Sequence, residues 1–509
     1  MTKASDLLVA ALENEGVGYI FAIPGEENLD VLDSLRRSKI RLVLTRHEQA
    51  AGFMAATYGR LTGRAGVCLT TLGPGALNLT TAAAYAHLGA MPMVMITGQK
   101  AIRSSRQARF QIVDIVATMR PLTKMATQIV SAQSIPTLVR DAFRVAQQER
   151  PGPVHLELPE DIAADEAAAD IIPPHVVELP VAPAAAIERA DFNTQMGKGA
   201  VSAGSNLYMG TAALSERDWV HEAIDQADLI ISIGHDTVEK PPFLMGHDGP
   251  QVIHVGATPA TVEQVYFPQA EIVGDVGASL ASLADRLEGK LPNGQALLGL
   301  REGILARLAE RSTENRFPLT PQRIVHDVRQ VIPPDGIVAL DNGMYKIWFA
   351  RNYRTSVANT LLLDNALATM GAGLPSAIAA SLVHPDKRVL AVCGDGGFMM
   401  NSQELETAVR LKLNLVVLVL EDRAYGMIRW KQEVDAFPDF GLEFGNPDFL
   451  AYAKSYGARG SRVRNASELS TMLEAAFEEG GVHLVVAPVD YSENMRVLVN
   501  ELPQVVQAR

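Results

Sequence analysis

Asp395 stands in the run Gly394-Asp395-Gly396-Gly397-Phe398, and about two dozen residues later Glu421 and Asp422 follow the apolar run Leu415 to Leu420. Two carboxylates at such positions suit a hard cation, and glycines beside them let backbone amides approach an anion. The pattern therefore fits Mg²⁺ clamping phosphate oxygens. The elements that must position these acids are legible too. Val389 to Cys393 reads as a strand, Glu404 to Lys412 as a helix and Leu415 to Leu420 as a second strand, while Asn401 with Glu404 three residues on gives a capping-box signal. A right-handed crossover makes the two strands parallel and carries Asp395 and Asp422 to one sheet edge, where ligands bind in open α/β sheets. The alternative is an ordinary strand-to-helix turn with solvated acids.

The formal charge of −13 and the lack of any Lys/Arg run interleaved with aromatics argue against nucleic acid as a partner. Cys68 and Cys393 lie among apolar, strand-like neighbours and read as buried thiols, which suits a reducing cytoplasm. The N-terminus has an amphipathic pattern from Ser5 to Glu15 and no basic or apolar leader, and no apolar run approaches the ~20 residues of a membrane span. The expectation is a soluble, cytoplasmic protein.

At 509 residues, about three domains of the usual ~150 residues are expected. Short apolar runs alternate with helical patterns from residue 5 to about 160, at Gly18 to Ile23, Ile40 to Thr45, Gly66 to Thr70, Met91 to Gly98 and Val154 to Leu158. That alternation means a parallel α/β sheet. A linker rich in Ala, Pro and acids spans Glu160 to Ala186. A second α/β segment carries strands at Leu229 to Ile233, Val252 to Val255 and Ile272 to Val276, with helices at Trp219 to Asp225 and Ser279 to Leu287. After a break at Arg311 to Pro321, a third α/β segment runs to about Pro488, closed by a tail. The division is 1–165, 166–315 and 316–509. The outer two segments are alike in length and class, which fits a duplicated flavodoxin-like layout around a middle domain.

In the first segment Glu48 opens a helix after the strand ending at Thr45, where an acid could simply favour the helix dipole. Pro24 to Asn28 and Thr71 to Asn78 are Gly/Pro loops after strands, with neither a Walker pattern nor a G-x-G-x-x-G fingerprint. Taken alone they are turns. In the third segment Met370 precedes a helix rich in small residues, where methionine usually fills a core.

The Gly394-Asp395-Gly396 to Asp422 spacing, together with Arg46-His47-Glu48 and Gly73-Pro74-Gly75, resembles the thiamin-diphosphate-dependent enzymes. Among them it is most similar to the catabolic, flavin-independent acetolactate synthases. The resemblance implies three α/β domains, two of them flavodoxin-like and binding the pyrimidine and diphosphate ends of the cofactor, around a shortened Rossmann-like middle domain. It implies metal ligation by Asp395, Asp422 and the carbonyl of Ala424. Glu48 becomes the carboxylate that bonds the cofactor's aminopyrimidine and activates the thiazolium C2 proton. Gln111, in a Phe110-Gln111 pair, would position substrate. Gly73, Gly343, Met370, Gly394, Gly396, Gly397, Tyr425, Gly426 and Met427 would contact the cofactor, Met370 by holding it bent. Tyr345 stands where the family carries a histidine near the diphosphate. Lys100 and Lys124 also match, but as solvated lysines.

The same resemblance implies decarboxylation of pyruvate and ligation of the two-carbon unit to a second pyruvate, giving 2-acetolactate, in a homodimer or homotetramer. No His-His pair occurs among the eleven histidines, whereas simple 2-keto-acid decarboxylases use one to protonate the decarboxylated intermediate; carboligation is thereby favoured. Trp430 follows Gly426 by four residues, where biosynthetic members place a tryptophan five after. One position turns a helical side chain by about 100°, so a preference for a larger acceptor is not expected. The middle domain lacks about 25 residues near Ala190 by resemblance, arguing against FAD, although Gly234-His235-Asp236 could still contribute to a flavin site. Other readings are another thiamin-dependent decarboxylase, carboligase, lyase or oxidase, or a catalytically idle homologue.

Overall fold

The computed structural model describes residues 1–103, 108–174, 191–212, 218–235, 245–287 and 295–501. The chain divides into two compact units. One holds Met1–Val177, Ala366–Asp386 and Met399–Leu413; the other holds Glu178–Asn365, Lys387–Phe398 and Asn414–Arg509.

The first unit is built on a six-stranded, wholly parallel sheet. Across it the strands run Arg41–Leu44, Tyr19–Ala22, Gly66–Thr70, Met93–Gln99, Pro153–Pro159 and Met125–Gln128. Five of these six follow the apolar runs of the sequence. Met125–Gln128 is half-buried at the sheet edge and has no long apolar run to announce it. The central strands are buried on both faces, which is why they read as continuous apolar stretches rather than alternating ones.

The second unit carries another six-stranded parallel sheet, in the order Leu361–Leu362, Ile337–Leu340, Val389–Gly394, Leu415–Glu421, Val482–Pro488 and Arg459–Arg462. In chain order each sheet reads 2-1-3-4-6-5, so the duplicated layout is present in topology as well as in length. In both, the order reverses between the first and third strands. The crevice beyond the carboxyl ends at such a reversal is where doubly wound sheets bind ligands. A three-stranded parallel sheet, Leu229–Ile233, Gln251–Gly256 and Ala270–Val273, forms the middle segment.

Three local expectations need correction. The strand expected over Ile272 to Val276 ends at Val273, because the Asp275 carboxylate accepts from the Ala278 amide and opens the helix Val276–Leu287. The expected linker is folded at its start. Glu160–Ala163 is helical, and Glu166–Ala167 pairs antiparallel with Thr2–Lys3. Its remainder from 175, with the shortening near Ala190, lies outside the described residues, as does Asp236. Finally, Asn401 and Glu404 form no capping box. Asn401 ends the helix Asp395–Asn401, and the next helix, Glu404–Arg410, starts after Gln403 with no side-chain cap. Both side chains make long-range bonds instead. Cys68 and Cys393 are buried and in no disulfide, as expected. Among the described residues no helix is long and apolar enough to cross a membrane.

Candidate active site

In the first unit the helix Glu48–Thr62 starts directly after the sheet edge, with His47 as N-cap accepting the Gln49 amide on its Nδ1. Small residues let this helix sink into the fold. A Cβ on Gly52 would lie 2.4 Å from that of Ala82, and one on Gly59 only 2.0 Å from the Pro92 carbonyl. The helix Gly373–Val383 packs against it, with Thr57 Oγ1 bonded to Ser376 Oγ at 2.9 Å in the buried interface. Glu48 is thus presented by a rigid element. Its Oε2 accepts from Asn78 Nδ2 at 2.9 Å, and its Oε1 lies where a Cβ on Gly75 would come within 3.4 Å.

In the sequence Asn78 is only the end of a loop, and nothing around it announces the pairing to Glu48. Gly73 adopts φ +51° and sits so close to Gln111 that a Cβ would meet the Gln111 carbonyl at 2.8 Å. The structure thereby brings Glu48, the Gly73–Gly75 loop and Gln111 to one place. Phe110 is 67 % exposed.

The two Gly/Pro loops meet each other as well. Thr71 Oγ1 donates to Glu27 at 2.5 Å, and Lys100 pairs with the same carboxylate at 2.5 Å. Lys100 is 7 % exposed, so the expectation of a solvated lysine is wrong for it. Burial works against the Glu27 charge, but bonds from Lys100 and Thr71 hold its carboxyl below the usual range. A buried pair of this kind is poor evidence for stability yet fixes geometry, here of two loops at the sheet reversal. Lys124 is half-buried, its ammonium donating to the Gln148 carbonyl.

In the second unit the Val389–Gly394 strand passes directly into a helix opened by Asp395, so Gly396 and Gly397 belong to a first helical turn rather than to a free loop. The Gly396 amide is taken by Asp395 Oδ1 at 2.9 Å. Asp395 is 1 % exposed, and its Oδ2 accepts from the Arg423 amide at 2.8 Å and from Asn446 Nδ2 at 2.7 Å. Burial outweighs these bonds and raises its carboxyl above the ordinary value. Asp422 is pushed up to about 7, first by burial and then by the Asp395 charge beside it, against the stabilising Ala424 amide.

The two expected acids therefore do converge. An isolated antiparallel bridge joins Ala424 to Glu443, but its bonds run through Tyr425 N and Arg423 O, so the Ala424 carbonyl is not one of its acceptors. A Cβ on Gly426 would stand 2.5 Å from Asp422 Oδ2, so a side chain there would have to displace that carboxylate.

The other expected contacts are placed as follows. Gly396 faces the Tyr425 and Phe444 rings, which lie 5.0 Å apart. Gly397 faces the Asp341 carboxylate, and both Gly394 and Gly343 face the ring of Tyr345, which is fully buried. Met427 and Trp430, on the helix Gly426–Val434, pack partly buried against the hydrophobic core of this unit. Met370 lies in the first unit, in the turn before Gly373–Val383, and the Gly371 carbonyl beside it accepts from Asn401 Nδ2 at 2.8 Å.

Sequence reasoning does not find Asn446, which bridges Asp395 and Glu421, or Arg462, whose ion pair holds the Glu421 carboxyl low despite its burial. Nor does it place Tyr491 beside Asp422. That ring comes within 3.6 Å of a Cβ on Gly426, and burial and the two acids raise its hydroxyl well above the ordinary range.

A buried Asp395 beside a partly buried Asp422, both carboxyls pushed towards the neutral form, is what a divalent cation would reverse. The buried Asn446 Oδ1, with no hydrogen-bond partner, adds a further unspent acceptor beside them. Among the described residues no group of three or more His, Cys, Asp or Glu side chains is placed to hold a metal. A cation here would take two carboxylates and a carbonyl from the chain and the rest of its oxygens from a ligand, which is how Mg²⁺ is held beside phosphates.

The chain matches the thiamine pyrophosphate enzyme N-terminal TPP binding domain over residues 2–118, the central domain over 183–283 and the C-terminal TPP binding domain over 341–487. It is 35% identical to the catabolic acetolactate synthase of Raoultella terrigena, across 96% of this chain and 95% of that protein. It is 31% identical to the acetolactate synthase of Bacillus subtilis, across 99% and 96%. Acetolactate synthase isozyme 2 large subunit of Escherichia coli is 29% identical across 97% and 96%. Three family domains matched in order, on a fold with the same sheet topology at both ends, show that the chain belongs to the thiamine pyrophosphate enzyme family.

Proposed function

We propose that this protein is an acetolactate synthase, which decarboxylates one pyruvate on thiamin diphosphate and joins the two-carbon unit to a second pyruvate. The observation that carries the reading is the convergence of the buried Asp395 with the partly buried Asp422, standing in a chain whose near-full-length relatives are named acetolactate synthases. When bound, the cofactor supplies a stabilised carbanion centre for cleaving and forming bonds beside a carbonyl. Asp395, Asp422 and the Ala424 carbonyl would hold Mg²⁺, which would offset the charge of the diphosphate. Glu48 holds a proton at the aminopyrimidine, with Asn78 orienting its carboxylate, and Gln111 beside Gly73 positions the substrate. Trp430, packed on the core, supports pyruvate rather than a larger 2-keto acid as acceptor. The test is turnover of pyruvate with assay of 2-acetolactate. Oxygen uptake or released aldehyde in its place would assign a thiamin-dependent oxidase or decarboxylase.

The purified protein should carry no stoichiometric flavin, since the resemblance places the shortening where the flavin-binding relatives have their first strand-helix unit. A visible absorption band from FAD released on denaturation would contradict this.

Assembly as a homodimer, or a pair of dimers, follows from the family resemblance, in which the first domain of one chain serves the third domain of its partner. Mixing inactive Glu48→Gln chains with inactive Asp395→Ala chains should then restore about a quarter of wild-type activity after exchange. Random pairing makes half the dimers mixed, each with one intact site. No recovery despite demonstrated exchange would place both residues in one chain's site.

A further inference from the structure

The helical stretch Asp395–Arg410 does more than begin with a metal-ligand candidate. Glu404 is fully buried, and its Oε1 accepts from the backbone amide of Arg46 at 2.9 Å, with the His47 amide as a further donor. Thr407 Oγ1 donates to its Oε2 at 2.6 Å and so fixes the rotamer. Three residues earlier, the Asn401 amide donates both to Gln49 Oε1 at 3.0 Å and to the Gly371 carbonyl at 2.8 Å. All of these groups belong to the first unit. Glu404 thus holds the two residues before Glu48, and Asn401 holds the residue after it.

A buried carboxylate is a costly way to fill space, and a leucine would pack without that cost. What a carboxylate supplies and leucine cannot is a set of strong acceptors for amides that a helix start leaves without partners. Arg46 and His47 precede the helix, so their amides have no intrahelical acceptor. The direction of the chain through them sets where the Glu48 side chain begins, and beyond that point its carboxylate is held by the exposed Asn78.

We propose that Glu404 and Asn401 are positioning residues for Glu48, gripping the turn Arg46-His47 and Gln49 so that the Glu48 carboxylate is aimed, and tying that turn to the one that carries Met370. The proposal rests on the reading of Glu48 as the cofactor-activating acid. It is specific about Glu404: two amides and a hydroxyl converge on one carboxylate, and a glutamine would accept with one oxygen while setting its NH₂ against a remaining donor.

Three measurements on the full chain test it. In cofactor-free protein, Glu404→Gln should lose amide hydrogen-exchange protection at Arg46 and His47 while distant strands stay protected. With thiamin diphosphate and Mg²⁺ bound, exchange of the cofactor C2 proton should slow by about 10²-fold, the size of effect expected when a reacting group is misplaced by about 1 Å. Cofactor affinity by calorimetry should change little, because the Asp395–Asp422 end is untouched. Thr407→Val, which removes one bond to Glu404, should move the first two readouts the same way by less, and serves if Glu404→Gln does not fold. Wild-type C2 exchange in both variants would overturn the proposal. Glu48→Gln is the control: if it also exchanges at the wild-type rate, the reading of Glu48 itself fails. If it alone is slow, only the positioning role is lost.

Discussion

Glu48→Gln should bind thiamin diphosphate and fold as the parent does, yet turn over pyruvate about 10²–10⁴-fold more slowly, the range general acid–base groups contribute. The substitution keeps the shape that Asn78 and the Gly75 backbone surround, so neither the helix start nor the loop has reason to move. What it removes is the carboxylate proposed to exchange a proton with the aminopyrimidine. The direct readout is deuterium exchange at the cofactor C2 position, which should slow in step with turnover. Full-rate exchange in Glu48→Gln would show that some other group activates the cofactor.

Removing Mg²⁺ with a chelator should release thiamin diphosphate, and Asp395→Ala should have the same effect with metal present. Both follow from the charge balance. Asp395 and Asp422 stand side by side, with burial and the Asp395 charge raising Asp422 to about 7, and a diphosphate placed beside them adds further like charge that only a cation would offset. Asp395→Ala also strips an acceptor from the Arg423 amide and leaves Asn446 with only its longer bond to Glu421, loosening the loop that carries Asp422 and Ala424. Titration calorimetry with and without chelator measures it. Cofactor affinity independent of metal would refute the assignment of this pair.

Much of this site is legible in the sequence. Asp395 and Asp422 follow apolar runs of a length that makes strands, and parallel strands joined by right-handed crossovers place their carboxyl ends on one edge whatever the packing around them. The same logic puts Glu48 and the Gly73 loop on the corresponding edge of the first sheet, and the two sheets share one strand order. Bonds closed over a long separation leave no such trace. Asn401 and Glu404 look like a local cap because spacing can report only neighbours. Each has a partner hundreds of residues away, 358 for Glu404 and Arg46 and 352 for Asn401 and Gln49. Lys100 reads as solvated because a lone lysine after a strand usually is; its burial depends on Glu27, on another loop.

Fold class, and the sheet edge on which each candidate acid lies, are written in the sequence, since strand length, turn residues and crossover handedness are local or nearly universal constraints. The side chains that hold those acids in place emerge from packing alone: Asn78 for Glu48, Asn446 for Asp395, and Glu404 with Asn401 for the turn around Glu48. Hydrogen-bond partners of this kind are chosen by distance and direction in the packed molecule, and no periodicity along the chain encodes them.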